Sequence, residues 1–181
     1  MSSSSPHSIF LSMLQKITNA FFLQLFKVPW VKKYWAKSFA AIEADHIPWT
    51  PLQKPLSQCK VGLVTTSGIH LKTDTPFNMQ DPDGDASFRV IPSNANQEDL
   101  KITHNYYDHR DADRDLNVVV PLKALMTCQE EGLIGSYSEN VYSFMGHIQG
   151  QQLNRLLQET AKQVAQHFKR EQIDVAILSP A

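Results

Sequence analysis

The sequence predicts an α/β fold with a parallel sheet of the doubly wound type, preceded by amphipathic helices rich in aromatic residues. Residues 60–66 form a β-branched apolar run, and the terminal segment 174–181 contains a second apolar run at 175–178. Runs of this length and composition are typical of strands buried on both faces of a parallel sheet. Residues 151–170 carry apolar side chains at helical spacing and lead directly into the second run. A helix followed by a buried strand indicates the crossover connection that parallel strands require.

The chain of 181 residues is long enough to bury a core of its own. We predict two parts, an amino-terminal helical extension over residues 1–50 and an α/β domain over residues 51–181. The boundary lies in the connector 47–55, which contains three prolines. Because the last apolar run reaches the end of the sequence, we expect the α/β domain to be incomplete at its carboxyl end.

The charge balance argues against several partners. The chain has 17 basic and 18 acidic residues in no long block of like charge. We therefore expect neither nucleic acid nor an anionic membrane surface as a partner. Cys59 and Cys128 lie far apart and lack the spacing of a zinc site, so we expect two reduced thiols in a cytoplasmic protein.

The apolar stretch 9–28 is predicted to be an amphipathic helix rather than a signal peptide or a membrane span. Polar residues interrupt it, among them Gln15, Lys16, Thr18, Asn19, Gln24 and Lys27. Pro29 ends or kinks this helix, and a second helical pattern covers residues 30–44. The apolar face either packs against its own domain or docks on a partner subunit.

The segments between the two apolar runs are shorter. Loops rich in Asp, Pro, Gly or charged residues are predicted at 72–85 and 105–115. Short strands are predicted at 88–91 and 100–104, and residues 142–148 are predicted to be a short strand or a bend broken by Gly146. A helix is predicted to begin at Pro121 and to end before Gly132, since proline favours the first helical position and glycine follows the last turn.

The turn that follows the first strand is the first candidate site. Thr66, Ser67, Gly68 and His70 fall at or just beyond the carboxyl end of that strand. In open α/β sheets, ligands bind beyond the carboxyl ends of the strands. Hydroxyls, a glycine and a histidine suit the binding of a carboxylate. An ordinary strand-ending turn with a solvated histidine explains the same residues.

The densest cluster of charged residues is 104–115, which holds His109 and Asp111 among its carboxylates, histidines and arginines. Three interpretations remain open. The segment is a loop of Asp–Arg pairs, a metal site, or a substrate-binding and proton-transferring loop in which His109 titrates near neutrality. Its spacing matches neither a calcium-binding EF-hand nor the HExxH zinc motif.

Two further features lie between these candidates. Arg89 either binds a substrate carboxylate in a bidentate manner or neutralises the acidic loop beside it. Residues 81–85 alternate carboxylates with Pro and Gly, which predicts a plain turn.

Several segments together resemble the selenoprotein B family of glycine, sarcosine, betaine and D-proline reductases. They are residues 61–71, 84–92, 102–119, 142–146 and 178–181. The resemblance covers roughly residues 47–181. It implies an α/β reductase domain of which residues 51–181 are the amino-terminal part.

In that family, the position that follows a strand like 175–181 holds a selenocysteine or a cysteine. Selenocysteine is encoded by UGA, which automated translation reads as a stop. The resemblance therefore implies a chain truncated just before its nucleophile, with no catalytic residue within residues 1–181. A selenol ionises more readily than a thiol and attacks as its anion.

The resemblance also implies an activity and partners. Family members cleave a C–N bond of an amino acid or amine reductively, with dithiol chemistry. Other subunits of a reductase complex, one of them carrying a pyruvoyl group, and a dithiol or selenoprotein electron carrier are the implied partners. Thr66, Ser67 and His70 would border the site. The alternatives are a naturally short interaction scaffold without chemistry and, less favoured, a metal-dependent enzyme that uses the Asp/His loop.

Overall fold

The computed structural model describes residues 28–38, 50–105 and 107–181. The chain divides into two units, Met1–Thr50 and Pro51–Ala181, and each is described by itself. In the first unit the described residues form helix α1, Pro29–Ser38. The prediction of a helix over residues 9–28 lies outside the described residues, as does the end of the predicted second helix.

The second unit contains six strands. They are β1 (Lys60–Thr65), β2 (Ile69–Leu71), β3 (Phe88–Pro92), β4 (Leu100–Ile102), β5 (Ser136–Phe144) and β6 (Val175–Ser179). Four of them form one sheet in the order β3-β5-β1-β6, while β2 and β4 form a separate two-stranded sheet. Strands β5, β1 and β6 run parallel, and β3 is antiparallel to β5. The predicted α/β class is confirmed, with a mixed sheet because of β3.

Four α-helices connect these strands. They are α2 (Arg110–Arg114), α3 (Leu122–Glu130), α4 (Gly150–Arg155) and α5 (Ala161–Arg170). A π-helical segment, Leu156–Thr160, joins α4 to α5. The helix predicted over residues 151–170 is thus present with one irregular stretch, and it leads into β6 as a crossover should.

Apolar side chains cover both faces of the sheet. On one face Val61, Leu63 and Val141 belong to a buried cluster with Leu125 of α3. On the other face, Tyr142 and Phe144 form a cluster with residues of α5 that include Val164 and Phe168. Adjacent residues of β5 thus point to opposite faces, as strand geometry requires. Helices therefore pack on both sides of the sheet, which is the doubly wound arrangement.

Close packing of α5 on β1 depends on Gly62. A Cβ atom at this position would lie 2.8 Å from the ring of Phe168 and 3.0 Å from Ile173. These distances are shorter than ordinary van der Waals contact, so only glycine lets the Phe168 ring rest on the strand. This contact fixes the crossover that places β6 beside β1.

Strand β5 is longer than predicted. The predicted strand or bend covers residues 142–148, whereas β5 begins at Ser136 and ends at Phe144, so residues 145–148 lie outside the strand. The first half of β5 contains Ser138 and Asn140, which interrupt an apolar pattern. The side chain of Glu171 explains these polar residues: it accepts hydrogen bonds from the Ser138 hydroxyl at 2.5 Å, from the Tyr142 hydroxyl at 2.7 Å and from the Asn140 amide at 3.5 Å. Burial alone would raise the pKa of Glu171, but these hydrogen bonds outweigh burial and lower it.

The loop predicted at 105–115 contains the one-turn helix α2, which differs from the prediction. Ala112 is its buried residue and packs in the cluster under β1 and β5. One small apolar residue among ten polar or aromatic ones carries no helical period, so sequence pattern alone favours a loop.

Strand β6 lies at the edge of the sheet and is largely exposed. Leu178 is 72 % exposed, and Ala176 and Ile177 are also exposed. Within the described part of the chain, no helix has the length and apolar character needed to cross a membrane.

Candidate functional site

The carboxyl ends of the three parallel strands meet at one edge of the sheet. The backbone N–H of Thr66, just beyond β1, donates to the carbonyl of Ser179 at 3.1 Å. The backbone N–H of Ala181, beyond β6, donates to the Thr66 hydroxyl oxygen at 3.1 Å. Thr66 therefore ties the end of β1 to the residues that follow β6.

The turn after β1 is also tied to β5 and β4. Gly68 donates its N–H to the Phe144 carbonyl at 2.9 Å and accepts from the Thr103 N–H at 2.9 Å. Its φ of 68° and a Cβ position only 2.5 Å from the Thr103 carbonyl oxygen require glycine. The buried Ser67 hydroxyl accepts from Thr65 Oγ1 at 3.0 Å. The predicted residues Thr66, Ser67 and Gly68 thus lie together at this edge.

Gly146, beyond β5, faces a buried histidine across this edge. A Cβ atom at Gly146 would lie 2.9 Å from His104 Nε2, 3.1 Å from the Thr66 carbonyl oxygen and 3.6 Å from the Ala181 carbonyl oxygen. We call these four residues, Thr66, His104, Gly146 and Ala181, the strand-end niche. Each comes from a different segment, so their proximity is a product of the fold.

The electrostatic environment keeps His104 neutral. The residue is 5 % exposed. Burial, followed by the nearby charges of His147 and His109, lowers the pKa of His104 to about 4. A neutral imidazole offers one N–H donor and one acceptor nitrogen. His104 is therefore suited to hydrogen bonding rather than to carrying a positive charge near neutral pH.

Tyr107 fixes the segment that follows His104. Its ring meets the His104 ring edge to face, with centroids 4.8 Å apart, and its hydroxyl donates to the Ser67 carbonyl at 3.1 Å. Burial and the negative charge of Asp113 raise the pKa of Tyr107 to about 12, so its hydroxyl keeps its proton. The residue holds the His104 segment against the turn after β1.

His70 lies away from this set of contacts. It is buried, its Nδ1 is 2.7 Å from the Leu71 carbonyl oxygen, and its Nε2 is 2.8 Å from the Thr103 hydroxyl. Both ring nitrogens are therefore engaged, and the Nε2 contact joins β2 to the residue that follows β4. A role for His70 in substrate binding stays a prediction.

Arg89 holds a loop in place. Its guanidinium donates to the carbonyls of Thr75 at 2.8 Å and Pro76 at 3.2 Å, and it lies 4.5 Å from the centroid of the Phe77 ring. It also donates to the Ser87 hydroxyl at 2.9 Å. Burial alone would raise the pKa of Asp85. The hydrogen bonds from Asn78 and Ser87 outweigh burial and lower this pKa, and the positive charge of Arg89 lowers it further. Carboxylate binding by Arg89 stays a prediction.

His109 directly precedes α2 and is half-buried, and Asp111 is an exposed residue of α2. His109 Nδ1 is 2.7 Å from an Asp113 carboxylate oxygen, and Asp111 is 3.5 Å from the Arg114 guanidinium. Asp108 and Arg110 form a further surface pair. These contacts match the interpretation of the segment as a loop of ion pairs. Among residues 28–38, 50–105 and 107–181, no group of three or more His, Cys, Asp or Glu side chains is arranged to hold a metal ion.

Sequence pattern alone missed the strand-end niche. Gly146 was treated as a break in a short strand, and His104 as one member of the charged cluster. The available signal was the glycine just after an apolar strand, since glycine at that place often permits a close approach of other groups. Which residue approaches it depends on the long connection through β4, which has no sequence signature.

Acidification from pH 7 to pH 5 is expected to lower the free energy of unfolding by about 2 kcal/mol through His104. The pKa of His104 is about 4 in the folded protein against 6.5 for an ordinary histidine. The contribution of His104 to the free energy of unfolding is therefore fully present above pH 6.5 and is lost as the pH falls toward 4. Between these values only the unfolded chain binds the proton. Carboxyl groups with a lowered pKa, such as Asp85 and Glu171, change the free energy of unfolding mainly at lower pH than this interval.

Urea unfolding at pH 7 and pH 5 measures this effect for the unchanged chain, His104→Asn and the exposed control His109→Gln. The unchanged chain and the control should lose stability between the two values, while His104→Asn should lose about 2 kcal/mol less. Equal pH dependence in all three proteins would contradict the buried, neutral state of His104.

Comparison with known proteins identifies relatives of the chain. The model of the glycine/sarcosine/betaine reductase selenoprotein B family matches residues 30–181, which begins earlier than the expected residue 47. The D-proline reductase subunit gamma of Acetoanaerobium sticklandii is 36 % identical over 131 residues, covering 72 % of this chain and 52 % of the relative. No solved structure matches the chain.

Two further relatives are named as components of reductase complexes. The glycine reductase complex component B subunit gamma of Symbiobacterium thermophilum is 25 % identical over 154 residues, or 83 % of this chain and 34 % of the relative. The betaine reductase complex component B subunit beta of Peptoclostridium acidaminophilum is 33 % identical over 107 residues, which cover 58 % of this chain and 24 % of the relative. The chain thus spans about half the length of the D-proline relative and less of the others. It belongs to the glycine/sarcosine/betaine reductase selenoprotein B family and is related to reductase-complex subunits.

Proposed function

We propose that this chain is the amino-terminal part of a reductase subunit that cleaves a C–N bond of an amino acid or amine. The nucleophile is the selenol of a selenocysteine, or the thiol of a cysteine, at the position after Ala181. The family assignment and the names of the relatives support the reaction class. In this proposal residues 1–181 supply walls of the site and no nucleophile.

The observation that carries the proposal is the convergence of three strand ends on Ala181. The Ala181 N–H donates to the Thr66 hydroxyl oxygen, and the Ala181 carbonyl oxygen lies 3.6 Å from the Cβ position of Gly146. The residue after Ala181 would therefore start from the ligand-binding edge of a parallel sheet. A nucleophile at this place is held by backbone contacts rather than by a flexible loop.

The selenol or thiol would supply the anion that displaces the amine from carbon. Thr66 would orient it through the hydrogen bond to Ala181. His104, neutral near pH 7, would leave the negative charge of the nucleophile uncompensated by a buried cation.

Partners complete the proposed reaction. A pyruvoyl group on another subunit would hold the substrate amine, and a dithiol or selenoprotein carrier would supply the two electrons that the cleavage consumes. The relatives are named as subunits or components of complexes, which supports partner subunits in general. A small amine or amino acid is the proposed substrate.

The experiment is an assay of the complete subunit, expressed with its partner subunits, with glycine, sarcosine, betaine and D-proline in turn. We expect dithiol-dependent cleavage of at least one of the four. Residues 1–181 assembled with the same partners are the control and should cleave none. Absence of cleavage by the complete complex would favour the interaction scaffold, and cleavage by the control would contradict the assignment of the nucleophile.

A further inference from the structure

A groove of about 410 Å³ lies beside strand β4. The half-buried side chains of Leu100, Ile102 and Leu116 form its apolar lining and pack against the buried cluster that β1 and β5 share with α3. The exposed Lys72 and Lys101 also border it. We call the space between these five residues the β4 groove. Its volume lies within the range of ordinary ligand pockets.

Strand β4 presents backbone hydrogen-bonding groups to this groove. Among the strands that the structure describes, β4 pairs with β2 alone. The Thr103 N–H donates to the Gly68 carbonyl at 2.9 Å, and hydrogen-bonded pairs alternate with other pairs along an antiparallel ladder. Ile102, which lies opposite Ile69, belongs to one of the other pairs and therefore directs its N–H and C=O away from β2. An edge of this kind accepts an added strand.

Lys101 distinguishes a second copy of this chain from a different partner. It is the central residue of β4. If two β4 strands paired antiparallel about this residue, the two lysines would lie directly opposite each other, and like charges in that position are destabilising. An acidic residue in the same position would instead be attracted. In the described part of the chain neither Lys101 nor Lys72 forms an ion pair, so both charges are available to a partner.

We propose that the β4 groove binds an extended segment of a partner protein, which adds to β4 as a further strand and carries an acidic residue beside Lys101 with an apolar residue on either side. Successive side chains of a strand point to opposite faces. The acidic side chain therefore lies on the face of Lys101, and the two apolar side chains pack on Leu100 and Ile102. The proposal needs no residue after Ala181.

Two carboxylates also line the groove and restrict where the partner's acidic residue can lie. Asp113 is already engaged, since its carboxylate oxygen is 2.7 Å from His109 Nδ1. Glu98 precedes β4 and is exposed, so it lies beside the end of an added strand rather than its centre. It repels a second acidic residue at that end. One central acidic residue is therefore the pattern that the groove favours.

The test uses the full chain and two capped peptides. The probe peptide is Thr-Val-Glu-Val-Thr, and the control peptide has lysine in place of glutamate. Binding is followed at pH 7 by NMR titration of the ¹⁵N-labelled chain. We expect saturable binding of the probe with a shift of the Ile102 amide, and binding of the control peptide about tenfold weaker. No saturable binding of the probe up to about 5 mM, or equal binding of the two peptides, would overturn the proposal.

Variants separate the charge from the backbone edge. Lys101→Glu replaces an exposed side chain and should reverse the preference between the two peptides. Ile102→Pro removes an N–H that β2 does not use and should abolish binding of both. Lys162→Glu, at an exposed position of α5, is the matched control and should bind the probe as the unchanged chain does.

If Ile102→Pro fails to fold, Lys101→Glu decides, and an unchanged peptide preference in that variant refutes the proposal. Sedimentation of the unchanged chain tests the alternative occupant. A dimer that the probe peptide dissociates would assign the edge of β4 to a second copy and would likewise overturn the proposal.

Discussion

Cysteine in place of the selenocysteine proposed after Ala181 is expected to slow C–N cleavage at least about tenfold at pH 7, with the fold intact. An ordinary thiol with a pKa of ~8.5 is only about 3 % ionised at this pH. A thiol whose pKa is one unit lower is about a quarter ionised, so ionisation alone accounts for roughly fourfold to 30-fold. The weaker nucleophilicity of sulfur adds to this loss.

The measurement compares the rates of the selenocysteine, cysteine and serine forms of the complete complex from pH 6 to pH 9. Below its pKa, the cysteine form should accelerate with rising pH, while the selenocysteine form should change little because it is already ionised. The serine form is the control and should be inactive. Equal rates for selenium and sulfur throughout this range would show that the group after Ala181 is not the nucleophile.

Gly84→Ala is expected to destabilise the α/β unit by about 3 kcal/mol or more. Gly84 has a φ of 86°, and a Cβ atom there would overlap the carbonyl oxygen of His147. The backbone positions around Gly84 cannot yield easily, because Gly84 pairs with Ile148 and the Gln149 N–H donates to the Asp83 carbonyl at 2.8 Å. The substitution therefore combines a strained φ with a backbone clash.

Gly132→Ala is a matched control. Gly132 has a φ of 71°, but nothing lies within 4 Å of its Cβ position. Only the cost of the left-handed conformation remains, about 1 kcal/mol. Urea unfolding of the two variants and the unchanged chain separates the clash from the strain. Similar losses in both variants would mean that the 81–85 turn does not pack against the His147 segment as described.

The regular part of the fold is predictable from the sequence, because burial imposes a pattern on it. β1 and β6 are short apolar runs, and the helix that enters β6 has an apolar face. Only the last residues of β5 are predictable as a strand, because Ser138 and Asn140 interrupt the apolar pattern before them. Both side chains are hydrogen-bonded to Glu171, which lies 31 positions after Asn140 in the sequence. Such pairing follows from tertiary contacts and leaves no local period in the sequence.

The candidate site was predictable where it depends on strand ends. Thr66, Ser67 and Gly68 follow β1, and the rule for open α/β sheets places them at the ligand edge. That rule does not predict His104, because His104 follows β4, and β4 belongs to the separate two-stranded sheet with β2. For Arg89, chemistry alone left two roles open, whereas its contacts are with the carbonyls of Thr75 and Pro76.

The identity of the residue after Ala181 tests the central claim most directly. The gene is sequenced through this codon, and the complete subunit is alkylated and analysed by peptide mass spectrometry. The account predicts a UGA codon, or a cysteine codon, followed by an in-frame α/β continuation, with a single alkylated selenocysteine or cysteine directly after Ala181. A UAA or UAG codon, or any other amino acid at that position, would contradict it.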